Sequence, residues 1–311
     1  MIPWGKSWLI RMGILDLLYN KNQIFSFTKS QKAEFPHDAR SLIRALAVYK
    51  EGKVDVDVGE SGTLFRFLRF IFWATQNGRK LIKRGSLLKR KIADDPGIVY
   101  LSPEELGNLD GGTSQWQSAS YLFYSRFGLE RKIKNPPEML QLTYEAVEHY
   151  RNQMAMGRPW ELRRDETILK QAVAIVEMLR QEKTSFKPKH SEDFCLARAL
   201  GLITTEDGKK FFPSEAEHET NRFLEMERVI ADVESGREIK SIDHRPIYSG
   251  AVMQMMQGRK IRVKYPGKVG KSWPQFWRFV DFIFYYLMRC RGFLRRRIPV
   301  HRRRAGRGPN E

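Results

Sequence analysis

Two copies of Gly-Lys-Ser-Trp stand 265 residues apart in this chain, in "PWGKSWLIR" from Pro3 and in "PGKVGKSWPQF" from Pro266. A lysine between a glycine and a hydroxyl is suited to holding phosphate. A nucleotide-binding P-loop, however, needs another glycine five positions before the one that precedes the lysine, on a loop leaving a strand. Too few residues precede Gly5 for such a strand, and Tyr265 occupies the required position ahead of Gly270. Neither copy is a P-loop. Both instead belong to a set of seven helix starts rich in small residues, hydroxyls and charges, the others being "GESGTLFR", "GGTSQWQ", "SEDF", "PSEAEHETNR" and "IDHR". The first turn of a helix carries N–H groups without internal partners, and together with the helix dipole these attract anions. Seven such starts predict helix ends converging on a polyanionic small molecule.

The elements that must position these residues are mainly helical. Periodicity and capping residues predict helices beginning near Ser7, Asp38, Ser61, Ser114, Glu138, Asp165, Ser191, Ser214, His244 and Trp273, with strand-like runs "KVDVDV" and "RKIRVKY" between some of them. The class is mixed α/β. A length of 311 residues suggests two domains, and 41% hydrophobic content is enough to build their cores.

Charge and cysteine content narrow the function classes. The net charge is +19, of which residues 289–311 carry +8 through nine arginines and one acid. The remaining +11 suits an anionic substrate as well as a polyanion. The Arg-rich tail reads first as a solvated extension and second as a nucleic-acid or anionic-lipid contact. Cys195 and Cys290 form no disulfide framework or metal-ligand spacing, and no signal peptide is recognisable, so a cytoplasmic location is expected. The apolar run "FWRFVDFIFYYLM", Phe276 to Met288, is too short to span a bilayer. It reads as a buried helix, with an interfacial membrane role as the minor reading.

The ordered set of motifs resembles the enolpyruvyl transferase family, in its branch acting on shikimate 3-phosphate. The match runs from Pro3 to about Trp277: "PWGKSWLIR", "HDARSLIRAL", "VGESGTLFR", "GSLLKRK", "GGTSQWQSA", "HSEDFCLA", "HETNRF", "DHRPIYSGAVMQMMQG" and "PGKVGKSWPQFW". The resemblance implies an α/β (α+β) fold of two domains built from βαβαββ units, with helices buried inside, a double-crossing hinge and a closing cleft. The expected division is a hinge-proximal segment 1–13, an acceptor-side domain 14–155, a second, catalytic domain 156–288 and the basic tail 289–311. The reaction implied is transfer of the carboxyvinyl group of phosphoenolpyruvate to the 5-hydroxyl of shikimate 3-phosphate, with release of phosphate. This belongs to the shikimate pathway of aromatic amino acid biosynthesis. No metal or organic cofactor is implied, the partners are the two small substrates rather than a membrane or nucleic acid, and the expected state is a monomer.

Residue by residue, the resemblance places Lys6, Ser7 and Arg11 on the acceptor, with Lys6 also touching phosphoenolpyruvate. Ser7 and Arg11, four apart on a helix, share a face. Thr113, Ser114, Gln115 and Lys134 are expected at the acceptor. Gly62, Thr63, Arg66, Arg90, Gln115, Arg222, Asp243, Arg245 and Lys271 are expected at phosphoenolpyruvate. Asp193 is implied as acceptor-binding residue and base, Glu219 as the carboxylate facing the methylene, and Lys271 as the lysine near the departing phosphate. His218 and Asn221 stand where the family has lysine and aspartate, and Lys134 and Pro137 where it has an acceptor-gripping serine and tyrosine. The family member acting on UDP-N-acetylglucosamine uses a first-half cysteine, whereas both cysteines here fall in the second half. From another class, a non-catalytic homologue whose basic surface binds a polyanion such as nucleic acid is the alternative.

Overall fold

The computed structural model describes residues 1–217 and 220–290. The first half contains α1 (Lys6–Leu18), α2 (Gln23–Ser26), α3 (Lys29–Ala33), α4 (His37–Lys50), β1 (Asp55–Gly59), α5 (Gly62–Ala74), β2 (Lys80–Lys83), α6 (Pro103–Gly107), α7 (Gln115–Ser125) and α8 (Glu138–Ala155). The second half contains α9 (Glu166–Leu179), α10 (Phe194–Ala199), α11 (Thr205–Phe211), α12 (Arg222–Glu234), α13 (His244–Met256) and α14 (Phe276–Cys290). Helix dominates, and the described strands are β1 and β2.

Two helices of the first half are apolar nearly all round, and such helices must be covered on every side. In α1 every residue from Trp8 to Asp16 is buried. In α5, "GTLFRFLRFIFWA", seven apolar side chains from Leu64 to Phe72 are buried. A polar anchor sets the depth of α1: the Asp16 carboxylate accepts from the Ile24 amide (2.6 Å), the Tyr150 hydroxyl (2.9 Å) and the Trp160 indole (3.1 Å). The "KVDVDV" run forms β1, with Val56 and Val58 fully buried and Asp55 and Asp57 turned outward. It pairs in parallel with β2, Val56 opposite Leu81, and α5 connects the two as one β–α–β unit.

The second strand expectation fails. In "RKIRVKY" the burial does alternate, with Ile261 and Val263 half-buried and Arg262 and Lys264 exposed. Yet the run makes a single parallel bridge, Ile239 to Val263, because its partner around Ile239 is too short to extend the pairing. Among the described residues, the strands of the expected βαβαββ units reduce to that one β–α–β unit. Most predicted helix starts fall within a residue or two of observed ones. At Ser191 and Ser214 the chain forms short 3₁₀ turns instead, and the last helix starts at Phe276 rather than Trp273.

Apolar packing divides along the chain. One cluster of buried side chains runs from Trp8 to Trp160, and the rest lie between Ile168 and Ile283. The N-terminal residues belong to the later group: the Trp273 indole donates to Met1 O (3.1 Å), and Ile2 packs on the cluster containing Trp273. The chain then crosses to the first half at Pro3–Gly5 and returns at Arg163–Asp165. These two segments pair antiparallel, with the Gly5 amide on Arg163 O (2.8 Å) and the Asp165 amide on Pro3 O (2.9 Å). The Arg164 guanidinium lies over the Trp4 ring at 3.5 Å and that of Arg163 over Trp8 at 3.7 Å, both within cation–π reach.

Candidate functional site

Lys6 opens α1 immediately after this crossing. The paired backbone of Pro3–Gly5 fixes it in place. Its ammonium lies 3.6 Å from the buried Asp38 carboxylate at the start of α4, and its charge also reaches Asp165 and Glu192 across the crossing. Asp165 caps α9 through the Ile168 amide (3.0 Å). Burial and then the nearby Glu192 carboxylate push its pKa up to about 6. Glu192 shifts the other way. Burial opposes ionisation, but Arg245, with its Nη2 at 2.9 Å, and then Lys6 hold it well below the usual carboxylate range.

The strongest convergence of sequence-predicted residues is at the start of α5. Ser61 caps this helix, its hydroxyl accepting from the Leu64 amide, and Gly62 is the first helical residue. A Cβ on Gly62 would stand 3.0 Å from Arg66 Nη1 and 3.1 Å from Arg90 Nη1, so the bare glycine is what lets both guanidiniums approach. Arg66 also donates to Gln115 Oε1 (2.7 Å) and to Asp110 Oδ2 (2.6 Å). Asp110 is held in turn by the Trp116 indole and the Ala93 amide. Burial lowers the Arg66 pKa; Asp110 opposes the shift and the adjacent Arg90 adds to it. Like charges held together at a helix N-terminus are arranged as for an anion. Gly62, Arg66, Arg90 and Gln115 are thus in one place. Thr63, Thr113 and Ser114 lie half-buried alongside them in sequence, and the Ser114 side chain makes no cap hydrogen bond to α7.

In the second half, Arg222 is clamped between Glu215 (2.9 Å) and Asp243 (2.8 Å), all three fully withdrawn from water or nearly so. Burial opposes its charge, but Asp243 and Glu215 outweigh that and hold its pKa well above the ordinary arginine value. Asp243 also caps α13 by accepting from the Arg245 amide (3.1 Å). Arg245 is buried and donates Nη1 to Glu192 O (2.6 Å) beside its carboxylate contact. The Asp193 carboxylate accepts from the Gln171 amide group (2.9 Å) and from the backbone amides of Lys189 and His190. In this conformation it is engaged as a local cap. Glu219, with its neighbour His218, lies outside the described residues.

The acceptor residues are spread more widely. Arg11 is almost fully buried beneath α8, bonded to Thr143 Oγ1 (2.7 Å), Met139 O (2.7 Å), Ser7 O (2.9 Å) and Ser118 Oγ (3.4 Å), and its guanidinium lies 5.7 Å from the Phe67 ring centre. Burial pushes its pKa down to about 9. Ser7 contributes its backbone oxygen to this arginine. Lys134 is exposed in the segment before α8.

Lys271 lines a cleft of ≈ 630 Å³ between the halves, with Asp38, Arg44 and Glu60 from the first and Tyr265 and Lys268 from the second. Burial opposes ionisation of Glu60, but hydrogen bonds from Ser86 and then the charges of Lys268 and Lys271 hold its pKa below the ordinary value. At Gly270 the backbone meets the His37 ring so closely that a Cβ would lie 2.6 Å from Nε2. Asp38 therefore joins the two Gly-Lys-Ser-Trp copies, since it pairs with Lys6 and shares the cleft wall with Lys271. Sequence reasoning missed the carboxylates that balance these cations: Asp38, Asp110, Asp165, Glu192 and Glu215. Asp38 and Asp165 were visible as helix starts and Glu192 lies inside "SEDF", but their pairing is set by the tertiary fold. Comparison of the chain with the families of known proteins, with curated proteins and with solved structures gave no match.

Proposed function

We propose that this chain is an enolpyruvyl transferase resembling EPSP synthase, moving the carboxyvinyl group of phosphoenolpyruvate to the 5-hydroxyl of shikimate 3-phosphate. The observation that carries the reading is the meeting of Gly62, Arg66, Arg90 and Gln115 at the start of α5. Four residues singled out by order of motif, and separated by up to 53 positions, come together at one helix start. The division of apolar packing into one first-half cluster and three second-half clusters, with a paired double crossing between the halves, supports the two-domain version of that fold, with its β–α–β unit as the sheet remnant.

In the addition step the acceptor oxygen forms a bond to C2 of phosphoenolpyruvate while a proton is delivered to C3. In the elimination step a proton leaves C3 and the C2–O bond to phosphate breaks, releasing inorganic phosphate. Both substrates carry phosphate and carboxylate, so the residues must mainly neutralise charge in a place that excludes water. Arg66 and Arg90 would hold phosphoenolpyruvate at the α5 terminus, Arg222 and Arg245 would face it from the second half, and Lys271 would stabilise the leaving phosphate. Lys6, Ser7 and Arg11 would receive the acceptor with Thr113, Ser114 and Lys134. Asp193 would take the acceptor proton after release from its cap, and Glu219 would serve the methylene carbon. Hinge movement at Pro3–Gly5 and Arg163–Asp165 would close the cleft.

Calorimetric titration with phosphoenolpyruvate tests the carrying observation. Binding is expected in the intact chain and should weaken at least about tenfold in Arg90→Gln, the loss of a charge-assisted contact. A folded protein that binds neither phosphoenolpyruvate nor shikimate 3-phosphate overturns the reading.

A further inference from the structure

The cleft beside Lys271 carries more charge than the transfer reading uses. Its floor is the carboxyl end of the parallel strand pair: β1 ends at Gly59, β2 ends at Lys83, and the Arg84 amide donates to Gly59 O (2.8 Å). Open parallel sheets bind ligands in the crevice outside the carboxyl ends of their strands. Gly59 takes a left-handed turn (φ 62°), and a Cβ there would stand 2.7 Å from Ser41 Oγ, so α4 packs directly against that end. From α4, Arg44 donates to the Ser41 hydroxyl (3.0 Å) and Arg40 to the backbone oxygens of Phe35 (2.9 Å) and Ala33 (3.2 Å), all neutral acceptors. Asp57 and Glu60 are each flanked by two cations. Arg84 lies 3.0 Å from Asp57, with the charge of Arg44 also in reach; Lys268 lies 3.5 Å from Glu60, with that of Lys271 in reach. Among the described residues lining the cleft, five lysines and arginines meet three carboxylates, an excess of two positive charges.

We propose that this cleft binds a small phosphate ester bearing neighbouring hydroxyls, its phosphate held by Arg40, Arg44 and Arg84 and its hydroxyls by Asp57 and Glu60. Guanidinium forks match the oxygens of a phosphate. Ionised carboxylates only accept hydrogen bonds, and each has lone pairs beyond those that the flanking cations use. A bare anion would meet Asp57 and Glu60 as like charges, whereas hydroxyl donors beside the phosphate turn the same carboxylates into partners. The two carboxylates likewise oppose a polyanion such as nucleic acid. The volume, ≈ 630 Å³, is that of a small-molecule site. Arg40, Arg44, Asp57, Glu60, Arg84 and Lys268 all stand outside the residues given to enolpyruvyl transfer, and the proposal stands independently of that reading.

The test is calorimetric titration of the full chain with ribose 5-phosphate, inorganic phosphate and ribose. Ribose 5-phosphate should bind, inorganic phosphate at least about tenfold more weakly and ribose not measurably, and the combined variant Arg44→Gln, Arg84→Gln should weaken the ester at least about tenfold. Both arginines are exposed, so circular dichroism of that variant should match the parent. Lys268 supplies a second readout: its side chain is 44% exposed, and ribose 5-phosphate should slow its acetylation, read by mass spectrometry. Lys132, 55% exposed and paired with Glu148, should be unaffected. The proposal is overturned if ribose 5-phosphate does not bind, if inorganic phosphate binds equally well, if the double variant binds as the parent does, or if Lys268 gains no protection. Phosphate release from phosphoenolpyruvate is a separate readout, so either reading can fail without the other.

Discussion

Glu192 and Asp165 face the same ammonium yet sit in opposite electrostatic circumstances, and each yields a prediction. Asp165 binds its proton more tightly folded than unfolded, because its pKa rises from an ordinary value near 4 to about 6. Its contribution to stability is fully present below about pH 4 and is lost as pH rises through about 6. Asp165→Asn keeps a good helix cap and removes the titration. Its stability relative to the parent, measured by urea unfolding, should rise on raising the pH from about 4 to 7, by up to roughly 2–3 kcal/mol; parallel curves would contradict the assignment. Glu192 occupies the Arg245 guanidinium that the proposed function gives to substrate. Glu192→Gln should lower the melting temperature and strengthen phosphoenolpyruvate binding several-fold, read by calorimetry. Unchanged affinity would mean that Arg245 does not meet the ligand.

At the scale of elements, the second half depends on how α12 and α13 are locked together. Arg222, the first residue of α12, is held by Glu215 and by Asp243, the cap of α13. Arg222→Met would leave two buried carboxylates without their cation and should cost about 3–5 kcal/mol in urea unfolding at neutral pH. Recovery of much of that loss as the pH falls toward the carboxylate range would confirm the cause. Further along the same pair of helices, Gly250 lets α13 approach closely: a Cβ there would stand 2.5 Å from Val229 and 2.7 Å from Ile239. Alanine is intrinsically the better helix former by about 1 kcal/mol, yet overpacking by about 1–3 kcal/mol outweighs it. Gly250→Ala should therefore destabilise, and a higher urea midpoint would contradict the packing. Such starts were legible where capping chemistry is local, as at Ser61, Asp165 and Asp243. The "RKIRVKY" run misled because alternation specifies a face, while a strand also needs a partner, and the partner is set by distant chain.

For the molecule as a whole, order of motif anticipated which residues would meet more successfully than it anticipated how they would be held. Gly62, Arg66, Arg90 and Gln115 were legible as a group only through the resemblance carried by the order of motifs, since no local rule links positions up to 53 apart. Arg11 was not legible as a buried residue: its neutral partners Thr143 and Ser118 lie more than 100 positions away. The paired crossing at Trp4 and Arg164 was likewise invisible, since it depends on two backbones meeting rather than on a side-chain pattern. That crossing places Lys6 and, through Asp38 and the cleft, Lys271 within a single arrangement of charge between the two halves. The central claim is that this arrangement performs enolpyruvyl transfer. Its most direct test is phosphate release from phosphoenolpyruvate by the full chain, with and without shikimate 3-phosphate, alongside Lys271→Ala and Glu219→Gln. Release that requires the acceptor and is lost in both variants is the predicted result; a folded chain with no acceptor-dependent release would contradict the account.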